Sequence, residues 1–183
     1  MTGHLGDSQQ RFGRVVDLTR ELVERTAPAD ILAVMIAAAS ADGGYLALRG
    51  RDGEFELVSC DCGPTLVDPD EIARWLRRDA PPTSAMATLG RGQAVWVSTR
   101  EEGERQFPAV AALVPWVQAW VALPLVVRSE VIGVVVLGFS MDLEFGEPDR
   151  RTLESMAILC SVAVGASTSH ARPTARPVRH PKR

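Results

Sequence analysis

The chain has 183 residues, 46% of them apolar, and a net charge of −3, which is enough for one ordinary domain with a single core. The last fifteen residues, Ser169 to Arg183, carry five basic side chains and no acidic one, so removing those five from −3 leaves −8 on the body. An acidic body argues against sequence-independent nucleic-acid binding by the folded part, because such binding needs a basic surface to displace counterions.

The absences narrow the chemistry further. Histidine occurs only at His4, His170 and His180, and the sole lysine is Lys182. The body from residue 14 to 168 therefore lacks the commonest general base, a Schiff-base amine, a histidine haem ligand and a histidine zinc site. Residues 1–13 are polar and read as a flexible start without a secretory signal, and no apolar run reaches the ~18 residues that a membrane helix requires. Three cysteines, Cys60, Cys62 and Cys160, argue by their odd number against a disulfide framework and fit a reducing, cytoplasmic setting.

In chain order, helical spacing is present at Val15, Leu18, Leu22 and Val23, and again from Asp30 through Ile31, Val34, Met35 and Ala38, with Pro28 as a break or helix start between them. Tyr45 to Leu48 and Glu54 to Cys60 form a hairpin around Gly50-Arg51-Asp52-Gly53. Asp68-Pro69-Asp70 opens a short helix through Ile72, Trp75 and Leu76. Thr83 caps a second, Ser84 to Leu89, expected to stop at Gly90. Ala94 to Val97 is a strand. A polar stretch after Ser98-Thr99-Arg100 leads to a helix from Phe107 to Val114, stopped by Pro115.

Two runs rich in β-branched residues, Trp120 to Val127 and Val131 to Phe139, then flank the polar turn Arg128-Ser129-Glu130 and are expected to pair. Both are apolar on both faces, which places them near the middle of a sheet covered on each side. Pro124 is awkward there, because proline donates nothing to a ladder. Glu147-Pro148-Asp149 starts a last helix with Leu153, Met156, Ala157, Cys160 and Val164 on one stripe. From Met156 to Ala166 it is apolar nearly all round, so its second face is expected to meet another helix or another subunit, making a homodimer the natural outlet. After Ala166 the chain turns to a basic, Pro-rich tail, residues 169–183, that reads as disordered.

This order of elements, with LPLVVRSEVIGVVVLGFS followed by Phe145, Asp149, Leu153 and Ala157, resembles the GAF domain family of sensor modules. APPTSAMATLGRGQAVWVSTREEGERQFPAVAAL is similar to the GAF modules of bacterial regulators that precede PP2C-type phosphatases or histidine kinases. The resemblance implies an α+β fold in α/β/α layers: a central antiparallel sheet, terminal helices on one face, and a ligand pocket of short helices and loops on the other. It also implies a non-catalytic sensory or regulatory module that binds a small molecule and signals, as a dimer, through its terminal helices. Since no kinase or phosphatase domain follows, the expected partner is a separate protein of that kind.

The candidate pocket residues are Tyr45, Trp75, Met86, Trp96, Phe107, Trp116 and Trp120, with Arg100 and Arg105 as anchors for an anionic ligand. Core packing or surface placement is the competing reading for each. Cys60-Asp61-Cys62 lacks the second cluster that a zinc site needs. Some members of the family reduce free methionine sulfoxide with cysteines, which leaves a cysteine-dependent reductase as a minor reading beside a protein interaction domain with a vestigial pocket. The cyclic-nucleotide signature of phosphodiesterase members and a bilin attachment site are absent, and no cofactor is assigned.

Overall fold

The structure, a computed structural model, describes residues 27–50, 52–61, 68–77 and 83–170. The helical spacing at Val15 to Val23, the flexible start, Cys62 and the tail beyond His170 lie outside the described residues. The elements are α1 (Pro28–Ala39), β1 (Gly43–Arg49), β2 (Phe55–Asp61), α2 (Pro69–Trp75), α3 (Ser84–Arg91), β3 (Val95–Val97), α4 (Arg100–Gln106), α5 (Pro108–Leu113), β4 (Ala119–Val127), β5 (Glu130–Phe139) and α6 (Glu147–His170). The strands form one antiparallel sheet in the order β2-β1-β5-β4-β3. No described helix is long and apolar enough to cross a membrane.

The central hairpin turns tightly. Arg128 and Ser129 both have positive φ, and Val127 pairs with Glu130, the left-handed pair that matches the twist of two antiparallel strands. The turn is thus two residues, and Glu130 belongs to β5. Pro124 is tolerated because β3 pairs only with Trp120, Val121 and Ala122, leaving β4 unpaired on that side from Pro124 onward. An irregularity follows between Leu125 and Val126. Ser161 of α6 accepts the Val126 N–H at 3.0 Å and donates to Ala157 O at 2.7 Å, tying the helix to this point of the strand.

Alternation along the strands divides the core. Leu46, Val121, Leu123, Leu125, Val135 and Leu137 face α1 and the α6 stripe Leu153, Met156, Ala157, Cys160 and Val164. Ala47, Ala122, Val134 and Val136 face the other way, under Leu76, Ala85 and Leu89, and Trp120 joins Val97, Phe107, Ala111 and Val117. The fold is α+β, with terminal helices on one face of the sheet and short helices on the other.

Three local expectations are corrected. Helix α3 runs through Gly90 to Arg91, and Gly92, at φ 66°, is the left-handed C-cap; Gly90 meets nothing that would force a stop. The polar stretch after Thr99 is helix α4. Thr99 Oγ1 accepts the Glu102 N–H at 3.2 Å while Glu102 accepts the Ser98 N–H at 2.7 Å, a reciprocal cap that starts a helix without an apolar stripe. Helix α6 continues past Ala166 to His170, since the first proline beyond it is Pro173; the body therefore includes one histidine.

Candidate functional site

Two cross-strand rows on the short-helix side of the sheet create the site. One row runs Cys60, Tyr45, Val136 and Ala122 across β2, β1, β5 and β4; the next runs Gly43, Gly138 and Trp120. Glycine in a strand often marks a close approach, and here two of the three positions in the second row lack side chains. Above that gap sit Ile72 and Trp75 of α2, Ser84 of α3, Val110 of α5, and Val114, Trp116 and Val117 from the segment after it. A β-carbon at Gly138 would lie 3.2 Å from Val117 Cγ2 and 3.5 Å from Trp116 Cη2. The half-open cavity has a volume of about 60 Å³ and an overwhelmingly apolar lining.

Of the residues expected around a pocket, Tyr45, Trp75, Trp116 and Trp120 line this cavity, whereas Met86, Trp96, Phe107, Arg100 and Arg105 do not. Trp96 pairs with Val121, whose side chain faces α1 and α6, so alternation sends it to the opposite face. There its ring packs at 5.3 Å from Phe145, with the Arg150 guanidinium 5.2 Å above it. Phe107 is buried beside Trp120, and Met86 packs against the Ala47 and Ala122 cluster. Arg105 is exposed near the end of α4.

Arg100 has a different use from anchoring an anion. Its guanidinium donates to Ala111 O at 2.6 Å, Val114 O at 3.1 Å and Val117 O at 3.2 Å, and pairs with Glu104 at 2.9 Å. These carbonyls belong to the last turn of α5 and the segment after it, so the arginine ties down the part of the chain that carries Val114, Trp116 and Val117 over the cavity. Sequence reasoning also missed Gly138 and Ser84 as lining residues. Gly138 was legible as a glycine inside a strand run; Ser84 was not, because its place depends on the docking of α3.

The polar groups around the cavity are few. Trp120 Nε1 donates to Ser84 Oγ at 3.2 Å. Trp116 Nε1 is shielded from solvent and has no hydrogen-bond partner among the described residues. Cys60 is disulfide-bonded, against the expectation drawn from the odd cysteine count, and Cys160 is free and buried. Burial pushes the Cys160 thiol up to about 12, so the protonated form is favoured where it packs in the core against α1 and the sheet.

Burial raises Tyr45 well above its ordinary value of 10.0. Because the neutral form is the one favoured in the fold, the folded chain holds its proton where the unfolded chain has lost it, and stability falls as pH rises through 10. Tyr45 is the only tyrosine, so ultraviolet titration reads it directly. No tyrosinate absorbance is expected at about pH 10.5 in the native protein, and about three-quarters of full absorbance in denaturant; a native titration near 10 would refute the burial of the phenol.

The sequence matches the GAF domain family over residues 12–164. The chain belongs to that family. No curated relative matches it in sequence. Among solved structures, the GAF domain of an Acinetobacter phosphoenolpyruvate-protein phosphotransferase is similar with a TM-score of 0.66 at 13% identity, over 91% of this chain and 99% of that one. Free methionine-R-sulfoxide reductase from Neisseria meningitidis, in complex with its substrate, gives 0.67 at 15% identity over 93% and 99%. The GAF domain of a sensor histidine kinase from Pseudomonas syringae pv. tomato gives 0.57 at 15% over 88% and 90%. At these identities the likeness is one of fold. The cavity of this GAF domain is thus the space between its sheet and the short helices α2, α3 and α5.

Proposed function

We propose that this GAF domain is a non-catalytic sensory module that binds a small molecule in the cavity under Trp116 and passes its occupancy through α6 to a separate partner protein. The observation that carries the reading is the cavity itself. It is aromatic-walled, floored by glycines, covered by a segment held at one arginine, and lined by no histidine, lysine or arginine among the described residues. Ligand entry requires the cover to move, because about 60 Å³ is far below the ~300 Å³ of ordinary ligand sites. That movement is the event available for signalling.

Helix α6 supplies an outward surface. Ile158 and Val162, one turn apart, are 64% and 65% exposed, and Val126 of β4 is 40% exposed beside the groove that Ile158 lines. We take these residues as the surface through which two copies associate, in the cytoplasm, for action on a kinase or phosphatase.

A metabolite panel read by thermal shift and native mass spectrometry tests both parts. At a hundredfold excess over Kd a ligand adds about 2.7 kcal/mol, or roughly 5–10 °C for a chain of this size. Gly138→Val, which places a branched side chain against Val117 and Trp116, is expected to abolish the shift while leaving the apoprotein folded. The apoprotein is expected to run as a dimer that Ile158→Glu with Val162→Glu converts to monomer. A panel with no hit, or hits insensitive to Gly138→Val, would remove the sensing claim; in that case an interaction domain with a vestigial pocket is the surviving reading.

A second reading draws on Cys60, which lines the cavity and is disulfide-bonded, and on the reductase among the similar structures. A cysteine pair could reduce methionine sulfoxide to methionine and water while forming a disulfide, with an external thiol restoring the pair. Turnover lost in Cys60→Ser would establish it, and turnover absent from the parent protein would end it.

A further inference from the structure

We propose that the cavity selects a small uncharged ligand carrying a hydrogen-bond acceptor, and that Trp116 Nε1 is the donor which receives it. This rests on the reading of the cavity as a ligand site and specifies the chemistry of what enters.

Charge complementarity decides against an anion. Among the described residues of the lining Asp61 is the only formally charged one, and the guanidinium expected to hold a negative group, that of Arg100, is engaged by Ala111 O, Val114 O and Val117 O. An anion entering this apolar space would lose its hydration with no counter-charge among the described lining residues to offset the cost. An organic cation would find aromatic faces and the Asp61 carboxylate, but it has no acceptor for an indole N–H, and that unmet donor is what distinguishes the ligand proposed here.

Three indoles line the cavity, and that of Trp75 is not among the shielded, unpartnered donors. Trp120 Nε1 is satisfied by Ser84 Oγ at 3.2 Å, and Trp116 Nε1 is shielded and unpartnered among the described residues. A buried donor left without an acceptor is a standing cost, so a ligand acceptor placed there recovers free energy that an apolar ligand of the same shape does not. Water is a poor substitute: a buried water is held by two to four polar partners, and the surroundings are Val110, Val114, Val117 and Val136. Trp116 sits on the segment after α5, over Gly138, so the bond that selects the ligand also ties the cover to the occupied state.

Four probes of similar size separate the terms: acetophenone, α-methylstyrene, benzoate and phenyltrimethylammonium. They are titrated into the full chain labelled with nitrogen-15 while the indole N–H signals are followed. Trp116 is assigned by the signal lost in Trp116→Phe. Acetophenone is expected to shift that signal and to bind about tenfold more tightly than α-methylstyrene, its acceptor-free isostere. The preference should fall to about onefold in Trp116→Phe, which keeps an aromatic ring in place. Benzoate and phenyltrimethylammonium should bind more weakly than acetophenone.

Equal affinity for acetophenone and α-methylstyrene, a preference that survives Trp116→Phe, or tightest binding by either ion would overturn the proposal while leaving the cavity a ligand site. If no probe shifts any indole signal, the reading of the cavity as a ligand site fails with it. The isostere comparison and the Trp116 shift are made on the parent chain, so they decide the matter even if the variant does not fold.

Discussion

Replacing Gly103 with alanine is expected to destabilise the domain by about 2–3 kcal/mol, although the same change in an exposed helix is favourable by roughly 0.5–1 kcal/mol. A β-carbon at Gly103 would stand 2.1 Å from Trp120 Cη2 and 2.5 Å from Cζ3. Trp120 is only 2% exposed and is fixed by Ser84 through its indole N–H. It cannot swing aside without losing that bond or moving into the cavity it lines. Gly90, in α3, has nothing within 4 Å of its β-carbon position and is the internal control, so Gly90→Ala should stabilise. For a chain of this length the Gly103→Ala loss corresponds to a Tm lower by roughly 5–10 °C. The clash is with the six-membered ring of the indole, so Trp120→Phe should relieve much of it, giving a favourable coupling in a double-mutant cycle. Equal effects at Gly103 and Gly90 would show that α4 does not press on Trp120.

Arg100→Met is expected to cost about 3 kcal/mol, because one planar cation is removed from three carbonyls that keep little access to water. The pair with Glu104 adds little to that figure, since the carboxylate is 59% exposed and surface pairs of this kind contribute little. Methionine preserves the length and apolar stem of the side chain, so the loss reports the guanidinium. Arg100→Lys should recover less than half of the loss, since a single ammonium cannot satisfy carbonyls of Ala111, Val114 and Val117 in the fork geometry that guanidinium provides. Urea unfolding gives the global value. Hydrogen exchange should show the amides of Ala111, Val114 and Val117, which bond to Phe107 O, Val110 O and Val114 O, opening faster in Arg100→Met than those of the central strands. Unchanged exchange in that segment would mean that the arginine does not hold the cover.

The amount of this fold legible in the sequence follows from where the information lies. The hairpin of β4 and β5 was readable because β-branched runs and a polar turn are local signals, and the α6 stripe because a spacing of three and four residues along a helix is local too. Helix α4 was missed for the complementary reason: it has no apolar stripe, and its only mark was the Thr99 to Glu102 cap. Helix α3 was shortened by reading Gly90 as its stop, when the left-handed residue is Gly92.

The chain by itself determined the sheet-and-helix plan, the family, and a body almost without histidine and lysine, all of which depend on residue type and short spacing. Tertiary structure alone decided which aromatic side chains meet. Trp96 and Trp120 are both strand tryptophans, yet register with Val121 sends the first to the α6 face while pairing with Gly138 leaves the second beside a cavity. It also decided that Arg100 holds backbone carbonyls eleven to seventeen residues away and that Trp116, alone of the three indoles on the described lining, keeps a shielded N–H without a partner. The physical reason is that hydrogen-bond satisfaction and charge pairing are properties of what surrounds a group in space, and those neighbours come from α3, α5 and β5, segments that only the folded sheet brings together.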